Sequence, residues 1–211
     1  RQRWLPRMAH GEVVGCFGLT EPDFGSDPAG MRTRARRDGD GWVIDGAKTW
    51  ITNGVSADVA VIWAKADGDG PEAIRGFLVE RGTPGFSARR IEGKFSMRAS
   101  ETAELALEEV RVPASALLPG AVGLKAALRC LSQARYGIAW GATGAAIACY
   151  EAARDYATSR VQFGRPIAAF QLTQEKLAGM LTEIVKAQLL NLRLGQLKAQ
   201  DRASHVHISL A

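Results

Sequence analysis

Cysteine, histidine and long apolar runs are all scarce in this sequence, and each scarcity removes a class of function. The three cysteines, Cys16, Cys130 and Cys149, are odd in number and show no Cys-x-x-Cys spacing. That argues against a disulfide framework and a thiolate metal site, and favours a reducing compartment. The histidines His10, His205 and His207 form no metal signature, because residues two apart on a helix face different sides. They read as surface residues, and no metal is expected. A spanning helix needs roughly 20 successive apolar residues, and every apolar stretch here is cut by a charge or a glycine well before that length. No membrane association is expected. The first residues carry no charged segment followed by an apolar one, so no secretory signal is expected within them.

What remains is a chain of 211 residues, 46% hydrophobic and 23% charged, the composition of a soluble globular protein. The length suits one domain plus part of another. A formal charge of +5, with 20 of 27 basic residues being Arg, would draw polyanions, CoA and dinucleotides as well as nucleic acid. The basic residues lie scattered among acids without an aromatic-interleaved stripe, which argues against nucleic acid. Arg32, Arg34, Arg36 and Arg37 read as a solvated strand face. The chain opens at Arg1 without Met and stops at Ala211 inside a continuing pattern, so it reads as a piece of a longer protein.

Two periodicities divide it. Residues 13–119 read as β structure, short apolar runs separated by turn signals at residues 38–41 and 67–70. The spacing suggests a small barrel or sandwich. Val59, Ala60, Val61, Ile62, Trp63 and Ala64 form a run apolar on both faces, which predicts a central strand. Runs at 74–80 and 103–110 alternate as half-buried strands do. From about Gly123 helical spacing takes over, with Leu124, Leu128, Leu131, Arg135 and Ile138 in phase to about Ser159. Gly137, Gly141 and Gly144 would each cost about 1 kcal/mol in an exposed helix, which predicts close packing against another helix. Residues 162–166 break the helix. A second begins near Gln171, with Leu177, Met180, Leu181, Ile184, Val185, Leu189 and Leu192 on one stripe. Two such helices cannot bury their stripes alone, so further helices are expected from outside these residues or from another subunit.

Three strings in this order and spacing, CFGLTEPDFGSD (16–27), KTWITNG (48–54) and RVQFGRPIAAFQ (160–171), resemble the acyl-CoA dehydrogenase flavoenzymes across nearly the whole chain. Within that family, residues 74–100 and the string ARYGIAWG (134–141) are most similar to glutaryl-CoA dehydrogenases. The resemblance implies an α+β multidomain fold: a helical N-terminal region ending near residue 12, a middle β-barrel domain over 13–119, and the first helices of a C-terminal four-helix bundle over 120–211. It implies FAD as cofactor, an acyl-CoA substrate, an electron-transfer flavoprotein as acceptor and a homotetramer. The compartment is expected to be a bacterial cytoplasm, with a mitochondrial matrix as alternative.

The resemblance also implies roles. Phe17, Gly18, Leu19, Thr20, Gly25 and Ser26 would line the flavin, with Gly18 kept small for close backbone approach to a flat ring. Trp50 would pack on the ring, beside Ile51, and Thr52 would bond near its hydride-accepting nitrogen. Taken alone, Trp50 would be a core aromatic, as Trp42 and Trp63 are expected to be. Arg160, Phe163 and Gln171 would reach the FAD pyrophosphate and adenine across a subunit interface, Arg160 through its planar fork, although a cation also suits a helix C-terminus. Ser26, Leu128, Leu131, Ser132 and Arg135 would line the acyl-CoA. Arg135, on an apolar stripe, requires a counter-charge from a CoA phosphate or a protein carboxylate.

The family's reaction takes the α proton of an acyl thioester with a carboxylate base while a hydride leaves Cβ. That base sits in most members on a later loop, and in a minority at the position held here by Ala134. No residue of this chain is assigned to it, Glu175 and Glu183 having no geometric warrant, and the chain alone is expected to be inactive. Glutaryl-CoA would give crotonyl-CoA and CO2. The alternatives are a short-chain acyl-CoA dehydrogenase or acyl-CoA oxidase of the same fold, and, remotely, a non-catalytic β-domain with a helical oligomerisation arm.

Overall fold

The computed structural model describes residues 2–67 and 73–211. Of the turn expected at 67–70, Gly68, Asp69 and Gly70 lie outside the described residues. The chain divides into two compact units, Arg1–Leu128 and Arg129–Ala211.

In the first unit a short helix α1 (Leu5–Ala9) precedes β1 (Gly15–Gly18), β2 (Arg34–Asp38), β3 (Gly41–Thr52), β4 (Val59–Ala66), β5 (Ile74–Glu80), β6 (Phe86–Arg90), β7 (Thr102–Pro113) and β8 (Leu117–Val122). They form one mixed sheet in the order β6-β7-β3-β2-β4-β5-β8, with β1 added parallel to β4. The run apolar on both faces is β4, and it is central: β5 lies along one side, while β1 and β2 share the other, pairing with Val59 to Ile62 and with Lys65 and Ala66 respectively. The expected barrel does not close, since among the described residues no ladder joins β6 to β8. The two end strands explain why. β6 is exposed at four of its five positions and ends in Arg89 and Arg90, charges that guard an edge. β8 contains Pro119 and Gly120, and proline has no N–H to give a further neighbour. Trp42, Ile44, Ile62, Phe77, Val79, Leu105 and Val110 are buried together, with the Trp42 ring edge-on to Phe77 at 5.3 Å. Trp63, like Trp42, is a core residue.

The helical period at Gly123 becomes α2 (Leu124–Ser159), which runs across the boundary between the units. In the second unit it is followed by a hairpin of β9 (Val161–Gln162) and β10 (Arg165–Pro166), by α3 (Gln171–Ala199) and by α4 (His205–Leu210). α2 and α3 meet around a buried asparagine: Asn191 Nδ2 donates to Ala139 O at 3.0 Å and to Thr143 Oγ1 at 2.8 Å. Among the described residues nothing packs closely on Gly137, Gly141 or Gly144, where an added Cβ would meet nothing within 4 Å. The tight approach is instead at Gly195, whose added Cβ would lie 3.3 Å from the Tyr136 hydroxyl. Of the α3 stripe Ile184 is buried, while Leu181, Val185, Leu189 and Leu192 are exposed. The apolar face is wider than this pair of helices covers. Among the described residues no helix is long and apolar enough to cross a membrane.

The bends around β6 allow a controlled test of packing. Gly82 and Gly85 share a φ of +81°, but a Cβ at Gly82 meets open space, whereas one at Gly85 would run into the Glu108 carbonyl. Gly82→Ala should lose about 1–2 kcal/mol from backbone strain alone, and Gly85→Ala about 3 kcal/mol or more. Urea midpoints measure both, and equal losses would contradict the contact.

Candidate functional site

β1 continues past Gly18 into Leu19 and Thr20, where it leaves β4 and turns to β3: Thr49 N–H donates to Thr20 O at 2.9 Å. This bond brings together residues 17–20 and the end of β3. Just below it lies a buried ion pair. Lys48 is 1% and Glu21 4% exposed, with Nζ 2.9 Å from Oε1. Lys48 Nζ also donates to Leu19 O at 3.1 Å. The Glu21 carboxylate further accepts from Arg32 N–H at 2.6 Å, Thr33 N–H at 3.0 Å and Thr33 Oγ1 at 2.5 Å. Burial pushes the Glu21 pKa up, but these donors and the Lys48 charge outweigh it and hold the carboxyl below its usual range. Burial also lowers Lys48, with Glu21 opposing.

Two residues on from Lys48, β3 carries an extra residue: Lys48 faces Leu105 and Ile51 faces Ala103, three steps on β3 against two on β7. Such a bulge re-aims a side chain. Trp50 takes it up at φ 60° and stands 61% exposed, while Ile51 turns into the core at 3%. Thr52 is exposed, and Asn53 is again left-handed at φ 61°. The following turn is held from outside by Glu101, whose Oε1 accepts from Val55 N–H, Ser56 N–H and Ser56 Oγ at 2.8, 3.0 and 3.2 Å. Arg81 donates to Val55 O at 3.1 Å and to Ala57 O at 2.9 Å in the same turn. Desolvation raises the Glu101 pKa, but the Ser56 and Val55 donors and Arg90 more than offset it, holding the carboxyl low. Burial first, then the Glu101 charge, pushes the Cys16 thiol up to about 11, so it stays protonated at neutral pH.

The remaining predicted residues fall into two groups. Gly25 and Ser26 are exposed on the loop after β1. Gly18 is also closely packed from within the sheet: an added Cβ would lie 2.8 Å from Ile62 Cδ1, so that side chain would have to shift. On α2, Leu128 is 41% exposed and Leu131 and Ser132 are half-buried. Arg135 is exposed, not buried on an apolar stripe, and has no ion pair among the described residues. It therefore needs no counter-charge from within the chain. Arg160, Phe163 and Gln171 stand at the hairpin joining α2 to α3. Phe163 and Gly164 both have positive φ, 52° and 77°, the geometry of a two-residue type I′ turn. Phe163 is 92% exposed, its ring edge-on to Phe170 at 6.2 Å, and Arg165 lies 4.1 Å over the Phe170 ring. Leu131, Ser132, Arg135 and the hairpin belong to the second unit, and residues 17–26, 50–52 and 128 to the first.

Glu21 and Lys48 lie within the strings 16–27 and 48–54 but carry no role there, and Thr33 and Glu101 lie outside them. One signal was available: a lysine two residues before Trp50, inside a strand that opens on the apolar run Trp42, Val43, Ile44. Among the described residues no cluster of His, Cys, Asp or Glu could hold a metal.

The arrangement is therefore two clamped segments, an open indole between them, and a separate aromatic and basic hairpin. Residues 16–110 match the family model for the acyl-CoA dehydrogenase middle domain, and residues 121–211 that for the acyl-CoA dehydrogenase C-terminal domain. The chain is 41% identical over 201 residues to the mitochondrial short-chain specific acyl-CoA dehydrogenase of Bos taurus, an alignment covering 94% of this chain and 48% of that protein. The chain thus spans about half the length of the curated relatives it matches. A solved glutaryl-CoA dehydrogenase from Mycobacterium smegmatis superposes with a TM-score of 0.95 at 58% identity, covering 99% of this chain and 53% of that one. A glutaryl-CoA dehydrogenase from the same organism, solved in complex with FADH2, gives 0.95 at 55% identity over the same shares. By the two family models, which together cover most of it, the chain belongs to the acyl-CoA dehydrogenase family.

Proposed function

We propose that this chain forms the flavin- and acyl-CoA-binding part of an FAD-dependent dehydrogenase that oxidises glutaryl-CoA across its α,β bond. The product would lose CO2 to give crotonyl-CoA, with two electrons leaving to an electron-transfer flavoprotein, in a bacterial cytoplasm or a mitochondrial matrix. The observation that carries the reading is Trp50: an indole held at φ 60° on a bulge, 61% exposed, beside a strand end anchored by the Thr49 to Thr20 bond. An exposed, immobilised aromatic face suits a flat heterocycle. The exposed Thr52 suits a polar edge of that group, and the exposed Arg160 and Phe163 suit the phosphate part of a group held by a second copy.

When bound, FAD supplies the acceptor for the hydride that leaves the substrate Cβ. The backbone of residues 17–20 and the Thr20 hydroxyl would hydrogen-bond it, Trp50 would cover its ring and exclude water, Ile51 would support that face from the core, and Thr52 would orient it. Gly25 and Ser26 would let the loop after β1 approach closely. Arg160 would match pyrophosphate oxygens through its planar fork, with Phe163 and Gln171 on the adenine side, as in a tetramer where this hairpin reaches a second copy. Ser26, Leu128, Leu131, Ser132 and Arg135 would line the acyl-CoA, and the exposed Arg135 is free to meet a phosphate. No side chain of this chain is proposed as the base for the α proton, and the 211 residues alone are expected not to turn over. The glutaryl assignment is supported by the 58% identity to the mycobacterial enzyme. A short-chain acyl-CoA substrate is the second reading, favoured by the 41% identity to the bovine enzyme.

Anaerobic titration of the whole protein with glutaryl-CoA should bleach the visible flavin absorption and yield crotonyl-CoA and CO2. Bleaching by butyryl-CoA alone would leave the family and remove the glutaryl assignment. Trp50→Ala should leave the urea midpoint nearly unchanged, within about 0.5 kcal/mol, and weaken FAD binding about fivefold, the loss of about 1 kcal/mol of ring contact. Acid should also release FAD. Glu21 and Glu101 are both held below the ordinary value of 4.5, so the stability they contribute is present above that pH and lost as pH falls through their lower folded values. Flavin fluorescence against pH should therefore rise only below 4.5, and release at neutral pH would contradict this.

A further inference from the structure

We propose that the buried Glu21–Lys48 pair is a positioning element for the flavin site, fixing residues 17–20 against the Trp50 bulge without either side chain touching the cofactor. The proposal rests on the FAD reading above. The Lys48 side chain has no exposed surface, and that of Glu21 is 5% exposed, so Lys48 cannot be a ligand-binding cation and Glu21 is almost wholly enclosed. What they do is join three segments that are far apart in sequence. Lys48 lies on β3 two residues before Trp50, and its ammonium bonds Leu19 O and Glu21 Oε1. Glu21 in turn gathers the Arg32 and Thr33 amides and the Thr33 hydroxyl. The Lys48 stem passes close to Gly18, where an added Cβ would stand 3.4 Å from Lys48 Cγ.

An apolar pair of similar volume would fill this space and could be as stable, since the desolvation of two charges offsets most of their attraction. It would not fix the geometry. A carboxylate that accepts from four donors has one allowed position, and an ammonium bonded to both Leu19 and Glu21 sets how far the first strand stands from the bulge. The Thr49 to Thr20 bond is the backbone link between the two segments, and Thr49 stands between Lys48 and Trp50 in the chain.

The test uses the whole protein with Lys48→Met, Glu21→Gln and the double variant. Hydrogen exchange on the apoprotein reads the Thr49 amide, and flavin fluorescence and absorption read FAD affinity and environment. The single variants should speed exchange at Thr49 and its neighbours and weaken FAD about tenfold or more, as small misplacements at such sites do, with a shifted flavin band. The double variant, free of an unpaired buried charge, should regain the melting temperature and keep the fast exchange and the shifted band. It decides the matter if the single variants do not fold. A folded double variant with wild-type exchange, affinity and band overturns the positioning role. A wild-type protein that takes up no FAD overturns the functional reading instead, while the Thr49 exchange rates still report whether the pair fixes the two strands.

Discussion

A lysine ammonium taken out of water needs an acceptor for its protons, and a carboxylate beside it needs donors for its lone pairs. At Lys48 and Glu21 these demands are met by backbone and hydroxyl groups drawn from residues 19, 32 and 33. The chain has to bring those residues to one point to bury the charges at all. Close placement of β1, the loop after it and the end of β3 is thus a condition of the fold, imposed by solvation, and the segments with the site's chemistry inherit it.

The same logic accounts for the strained residues. Trp50, Asn53 and Phe163 all hold positive φ without being glycine, a conformation that persists only where the surroundings over-determine it. Around Trp50 the constraint comes from both flanks, the ion pair before it and the Glu101 and Arg81 bonds after it. At Phe163 it comes from a two-residue loop between paired strands, where left-handed torsions match the strand twist.

The periods were legible because they are local. The central strand at residues 59–66, the onset of helix after Gly123 and the core roles of Trp42 and Trp63 follow from spacing that any short window contains. What was hidden depends on partners distant in the chain. The Trp50 bulge exists only relative to β7, and Glu21 and Lys48 are 27 residues apart, so neither shows in a single-strand pattern. The open sheet was half visible, in the charges of β6 and the proline of β8, but closure is a property of strand pairing. Arg135 and the α2 glycines stand open within this chain for one shared reason: an apolar stripe tells which face wants cover, and gives no account of which chain covers it. The site residues were found as sequence strings, and Glu21 and Lys48 stand inside those strings, but a string does not show that the two side chains meet.

β1 joins the sheet through a parallel ladder to β4, and the contact that opens that ladder, Val14 N–H to Asp58, links residues 44 positions apart. The β2–β3 hairpin, with its short connection, lies between them in sequence. Closing so long a loop loses chain entropy before any ladder bond compensates, so the antiparallel pairs form first and β1 docks onto a sheet that already exists. Because β1 shares one side of β4 with β2, its detachment would leave the other strands paired and would take Leu19 O from the buried Lys48 ammonium, a local opening distinct from global unfolding. A ligand seated against residues 17–20 would close that opening, so its binding would register as slowed exchange in β1 well before it raised the stability of the core.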